Sequence, residues 1–220
     1  MFSKLKIENR GFTLSELIVV IAIATILMTA LVIANSRWDD SLVVNTQAYE
    51  MALMFRQAQH YALGVREAPS GGGDKFNSGY GIFFGNLDVD PPETWKTKYI
   101  FFADTNNNGV YDEGVDSVVE SKTLNRGVVI DSFCGRKGVG QFDEKCHPSE
   151  PGIGNVSFAH ITFSRPNPEA NIIFWNNGGG LSQNVVPPAK IYLISPKGKY
   201  YRVSIEVSGR VFVDQSEPEE

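Results

Sequence analysis

The chain is short of the residues on which catalysis and cofactor binding usually rest. It has two cysteines and three histidines in 220 residues. His60 falls in a helical pattern, His147 stands beside Cys146, and His160 lies in an alternating, strand-like run, so no His-centred cluster is written into the sequence. There is no Gly-x-Ser-x-Gly, and no paired carboxylates stand out except in one Asn-rich turn. The expectation is a protein that is not an enzyme. Two other absences say more. From Phe12 to Leu63 there is neither glycine nor proline, and from Leu17 to Ala34 there is no charged residue. The first absence removes the usual helix breakers. The second leaves LIVVIAIATILMTALVIA, which as a helix spans about 27 Å at ~1.5 Å per residue, close to the ~30 Å hydrocarbon core of a bilayer.

The rest of the composition is that of a globular domain, with 42% hydrophobic and 20% charged residues. The formal net charge is −5, and an acidic chain argues against nucleic acid as the main partner. Before the apolar run stand Lys4, Lys6 and Arg10, opposed only by Glu8. That basic bias holds the N-terminus in the cytoplasm and sends the rest of the chain across the membrane. An ordinary secretory signal has a shorter apolar core followed by a small-x-small cleavage site, and here the chain turns polar at Asn35-Ser36-Arg37 with no such site. A plain signal anchor fits the length but gives no reason for Glu16. A carboxylate at the lip of a membrane span is costly unless paired, which marks it as functional.

Gly11-Phe12-Thr13-Leu14-Ser15-Glu16, followed at once by the apolar run, resembles the cleavage and methylation signal of type IV pilins and type II secretion pseudopilins. The resemblance implies that a prepilin peptidase cuts between Gly11 and Phe12 and methylates the new amine of Phe12. It implies that Glu16 pairs with that amine on a neighbouring subunit during assembly. The implied partners are the peptidase, other pilin or pseudopilin subunits and an inner-membrane assembly platform. The implied place is the inner membrane, with the domain periplasmic or extracellular, and then a pilus or pseudopilus. Inside a bundle of apolar helices a lone carboxylate and a lone ammonium each cost several kcal/mol unless they meet, so the physics agrees. The chain departs from many relatives in having Ile33 and its neighbours where a helix-breaking proline often stands about twenty residues into the mature chain.

The chain thus divides into a leader, 1–11, a transmembrane and assembly half-helix, 12–35, and a globular domain, 36–220. The helix continues over 36–63. Val44, Ala48, Met51, Phe55, Ala58 and Ala62 follow at steps of four and three, which predicts one buried face laid on a sheet. Leu42, Tyr49 and Leu53 fall on the other side, under a loop or against neighbouring helices. Gly64 is expected to end the helix. Ala68–Ser78 reads as a loop; its three glycines are not a phosphate cradle, because no Lys-Ser/Thr follows and no strand precedes. Strands are expected at Tyr80–Phe84, Lys98–Ala103, Ser117–Leu124, Gly127–Asp131, Asn155–Phe163, Ile172–Trp175, Lys190–Ser195, Tyr200–Val207 and Val211–Val213. Strands after one long helix give an α+β class, a pilin-like helix packed on an antiparallel sheet.

One stretch carries metal chemistry. Asp104, Asn106, Asn108 and Asp112 occupy positions 1, 3, 5 and 9 of a calcium-loop pattern, with Gly109 at 6 and the Val110 carbonyl at 7. The bidentate Glu at position 12 is replaced by Val115, and Asp116 follows one residue later. Strands rather than helices flank it, so the alternative is a hydrogen-bonded Asx turn in a hairpin. No cofactor is required by this reading, with Ca²⁺ as the one candidate. Cys134 and Cys146, in the part expected outside the cytoplasm, read as a disulfide closing a loop of about 13 residues for ~3 kcal/mol. Two Cys and one adjacent His do not make a zinc site.

The ending, a hairpin followed by Gly209-Arg210 and a short strand, resembles the GspH/FimT group of pseudopilins and minor pilins. Some of that group use a Gly-Arg-x-Arg tail to bind DNA during uptake. Here Phe212 replaces the second arginine and the chain ends Glu217-Pro218-Glu219-Glu220, which opposes phosphate binding. The function expected is a structural subunit, a minor pilin or pseudopilin. The alternatives are a membrane-anchored calcium- or ligand-binding module that does not polymerise, and a DNA-uptake minor pilin.

Overall fold

The structure is a computed structural model. It describes residues 11–64, 67, 78–85, 96–136, 145–147, 156–167, 169–176, 183–184 and 186–217. The basic leader residues, most of the Ala68–Ser78 loop, Pro91-Pro92 and the last three residues lie outside these. The chain divides into two compact units, Met1–Asp39 and Asp40–Glu220.

Among the described residues the helical content is one element, α1, Leu14–Leu63. In the first unit Leu14–Val32 is long and apolar enough to cross a membrane by length and composition, and every residue from 11 to 32 is exposed. At about 1.5–3 kcal/mol for each large apolar side chain, exposing that run to water would cost on the order of tens of kcal/mol. Such a surface demands an apolar surrounding.

The second unit begins on α1 and continues, among the described residues, as eleven strands: β1 (Gly79–Phe84), β2 (Lys98–Asp104), β3 (Ser117–Thr123), β4 (Val129–Arg136), β5 (Lys145–His147), β6 (Val156–Phe163), β7 (Ala170–Asn176), β8 (Gln183–Asn184), β9 (Val186–Ile194), β10 (Tyr200–Ile205) and β11 (Val211–Asp214). They form two sheets, ordered β3-β2-β1-β6-β7-β8 and β11-β10-β9-β4-β5, and every described pairing is antiparallel. The fold is α+β, with the second half of one long N-terminal helix packed on antiparallel sheet.

The predicted stripe is the helix's buried face. Val44, Ala48, Met51, Phe55 and Ala58 are fully buried and Ala62 nearly so, while Leu42, Tyr49 and Leu53 stay more than half exposed. The buried face meets the inner sides of both sheets in one core. Phe84 sits where the three layers meet: its ring lies 6.1 Å from Phe55 of α1, 5.8 Å from Tyr99 of β2 and 5.4 Å from Phe133 of β4. At the start of the unit Ser195 Oγ donates to Asp40 Oδ2 at 2.5 Å, tying the helix to the β9–β10 turn. That turn closes the predicted hairpin, with Tyr200 opposite Ile194.

Three strand expectations are corrected. The predicted Gly127–Asp131 strand is Val129–Arg136, because its second half pairs with β5 and β9 and buries Phe133 and Cys134. Where the sequence suggests that the loop closes at the second cysteine, Lys145–His147 forms a short edge strand with Cys146 at its centre. Pro187-Pro188 lies inside β9 rather than before it. The prolines fall where the β4–β9 register is irregular, between Cys134 and Arg136, and β10 pairs only from Ala189 onward, so the missing N–H groups break no regular ladder.

The outer face of the six-stranded sheet is also covered. β1 is buried at all six positions. Phe83, Ile100 and Phe102 form a small second core there, against which Tyr111 and Phe158 pack. This brings the Asp104–Asp116 loop down onto the sheet. At the C-terminal end, Arg210 stacks over Phe212 at 4.7 Å and lies 4.0 Å from Glu206, so the Gly-Arg segment is engaged within its own strand and turn.

Candidate functional site

The start of α1 is held by a reciprocal cap. Thr13 N–H and Thr13 Oγ1 both donate to Glu16 Oε2, at 2.9 and 2.8 Å, and Glu16 N–H donates to Thr13 Oγ1 at 3.3 Å. Thr13 precedes the first helical residue and Glu16 is the third residue within the helix, so this is a capping box. It satisfies backbone donors that would otherwise be orphaned at the helix start. The same bonds fix the Glu16 carboxylate beside the chain entering from Gly11 and Phe12.

The Asp104–Asp116 loop is closed by its own carboxylates. Asp104 Oδ2 accepts from Gly109 N–H at 2.8 Å and Oδ1 from Asn108 N–H at 3.2 Å. Asp116 accepts from Thr105 N–H at 2.9 Å and from Asp112 N–H at 2.8 Å. Asn106 Oδ1 and Asn108 Oδ1 accept from the N–H groups of Asn108 and Val110. The two amide Nδ2 atoms converge on Asp112 Oδ2, at 2.9 and 2.7 Å. Gly109 has a φ of +80°, and a Cβ there would stand 2.4 Å from Asn171 Nδ2, so the sharp turn needs glycine. Burial foremost, with the charge of Asp116, pushes the Asp104 carboxyl up from its ordinary range, against the N–H donors of Gly109 and Asn108.

The donor set is all oxygen, the chemistry a hard cation takes. Its arrangement is another matter: among the described residues no three His, Cys, Asp or Glu side chains form a group that could hold a metal ion. As they stand, the Asn106 and Asn108 amides turn nitrogen, not oxygen, toward Asp112. The N–H bonds to Asp104, Asn106 and Asn108 follow the pattern of an Asx turn.

His160 on β6 is a participant that the sequence does not announce. It is 3% exposed, opposite Phe83 in the ladder, and its Nδ1 accepts the Tyr111 N–H at 3.0 Å. Burial lowers its pKa to about 4, against a smaller opposing pull from Asp112. The neutral ring is therefore part of the fold. With the folded value below the ordinary 6.5, this stabilisation is fully present above pH 6.5 and is lost as pH falls toward 4, on the order of a few kcal/mol. His160→Gln retains an acceptor for Tyr111 without that titration. Its melting temperature is expected to fall less than the parent's between pH 7 and pH 4.5; equal falls would contradict the assignment.

On β4, Cys134 is disulfide-bonded and fully buried beside Tyr192. The ladder sets Cys146 of β5 directly opposite it.

Comparison with known proteins bears on the first of these features. The family described as the prokaryotic N-terminal methylation motif matches residues 8–32. The chain carries a prepilin-type N-terminal methylation motif. A search of curated proteins found no match. Among solved structures, the minor pseudopilin EpsH from the type II secretion system of Vibrio cholerae is similar at 15% identity and a TM-score of 0.38, covering 81% of this chain and 99% of that one. The methylation motif contains Gly11, Phe12, Thr13 and Glu16 and extends through the apolar stretch to Val32. The resemblance implies an assembly role for Glu16 and gives none to Thr13. The sequence does hold a signal for Thr13, since Thr-x-x-Glu ahead of an apolar run is the sequence form of a capping box.

Proposed function

We propose that this chain is a structural subunit, a minor pilin or pseudopilin, of a type IV pilus or a type II secretion pseudopilus. The match of residues 8–32 to the methylation motif is the observation that carries the reading. In this account a prepilin peptidase cuts after Gly11 and methylates Phe12. The span holds the protein in the inner membrane with the second unit outside. Glu16 then meets the Phe12 amine of a neighbour, and α1 enters the filament. An α-helix whose apolar residues are open from Leu14 to Val32 suits both a bilayer and a bundle of like helices. The test is incorporation: the chain should copurify with sheared filaments, and do so only while it carries the Glu16 carboxylate.

No metal ion is required in this proposal. The loop of Asp104, Asn106, Asn108, Val110, Asp112 and Asp116 is already closed by N–H donors. Adding Ca²⁺ to the chelator-treated full chain in detergent is expected to move its melting temperature by less than about 1 °C. A rise of several degrees, a kcal/mol or more by mass action, would show that the amides turn and that the loop takes an ion.

A further inference from the structure

The Asp104–Asp116 loop and the outer face of the six-stranded sheet frame an open-mouthed cavity of about 290 Å³. Phe83, Tyr111, Phe158 and His160 line it, together with Asp112. The rings form a continuous wall: Phe83 lies 5.0 Å from Tyr111, 5.0 Å from His160 and 5.8 Å from Phe158. Two polar atoms are left over. His160 Nδ1 is taken by Tyr111, so the neutral ring carries its proton on Nε2, a donor that a Lys or Arg guest leaves to water. Asp112 Oδ2 accepts both asparagine amides, and Oδ1 accepts no bond among the described residues.

The loop's own charge has one sign, and Arg165 borders its far side, beside Asp104 and Asn107. Asp104, Asp112, Glu113 and Asp116 lie in the loop, and no Lys, Arg or His occurs between residues 104 and 116. Aromatic faces attract a cation through their quadrupole, and a carboxylate beside them adds a charged acceptor. A neutral apolar guest would leave Asp112 desolvated without compensation, and an anion would be repelled. The volume lies at or below the small end of the range for drug-sized ligands, which suits a single side chain rather than a large ligand.

We propose that this cavity takes a lysine or arginine side chain of another polypeptide, its aliphatic stem along the aromatic rings and its charge on Asp112. The proposal stands apart from filament assembly through α1 and does not depend on it.

The test uses the full chain in detergent micelles with chelator present. The probes are the blocked tripeptide Gly-Arg-Gly and its citrulline counterpart, which has nearly the same shape and no charge. Binding is read from the NMR signals of the Tyr111 amide and the His160 ring. The arginine peptide is expected to shift both saturably and to bind about tenfold or more tighter than the citrulline peptide, as cation–π and charge-assisted bonds require. Asp112→Asn should bring the arginine peptide down to about the affinity of the citrulline peptide. Equal affinities for the two peptides in the parent protein would overturn the proposal, whatever the variant does. So would the absence of saturable shifts at Tyr111 and His160.

Discussion

Glu16→Val is expected to insert into the membrane normally and to be absent from filaments. Insertion depends on the basic leader and the apolar run, neither of which the change touches. Assembly depends on the carboxylate. With valine in its place, the ammonium on Phe12 enters a bundle of apolar helices unpaired, and leaving one member of a buried ion pair alone costs about 3–5 kcal/mol. That is on the order of a hundred- to several thousandfold in the equilibrium for adding a subunit. Valine also removes the acceptor of the Thr13 N–H and Oγ1 bonds, which costs about 1 kcal/mol at the helix start. Glu16→Gln separates the two effects. Glutamine keeps an oxygen for the capping box but carries no charge. It too should be excluded from filaments. Incorporation of the glutamine variant at the parent's level would mean that the cap, and not the ion pair, is what assembly needs.

The second large effect is expected at Phe84. Its ring packs on the helix, on the six-stranded sheet and on the five-stranded sheet at once, so no single element can move in to fill the space it leaves. Phe84→Ala should therefore destabilise the domain by about 3–5 kcal/mol, a fall of roughly 10 °C or more in melting temperature at this size. Phe212→Ala provides the contrast. Phe212 is 39% exposed and its ring carries the stacked Arg210 side chain, so a change within about 1 kcal/mol is expected. A Phe84→Ala protein that melts with the Phe212→Ala protein would contradict a core shared by three layers.

Features of the fold are legible in the sequence to the extent that their signals are local. The face of Val44, Ala48, Met51, Phe55, Ala58 and Ala62 is readable because helical periodicity is a property of neighbouring residues. The hairpin around Ser195-Pro196-Lys197-Gly198 is readable for the same reason, its turn residues standing between two alternating runs. The presence of two sheets is not, because strands on either inner face of one core carry the same alternation. Nor is the course of β9, whose prolines are tolerated only because the partner register breaks beside them.

The candidate sites divide in the same way. Gly11, Phe12 and Glu16 are legible because their signal is contiguous, and so is the Thr13–Glu16 spacing that makes the cap. In the Asp104–Asp116 stretch the side-chain spacing suits an ion or a turn equally well. Composition does not choose between them, and the response of the melting temperature to added Ca²⁺ does. His160 reads in the sequence only as a residue in a strand. Its burial and its bond to Tyr111 come from a loop some fifty positions earlier folding over the sheet, a non-local event that no pattern around His160 could announce.

The proposed function rests on the N-terminus being a processed prepilin signal. The most direct test is the intact mass and N-terminal residue of the protein extracted from membranes, with and without an active prepilin peptidase. The expected result is a chain that begins at methylated Phe12 when the peptidase is active and at Met1 when it is not. A chain that still begins at Met1 beside an active peptidase would contradict the proposal, and the apolar run would then be an anchor alone.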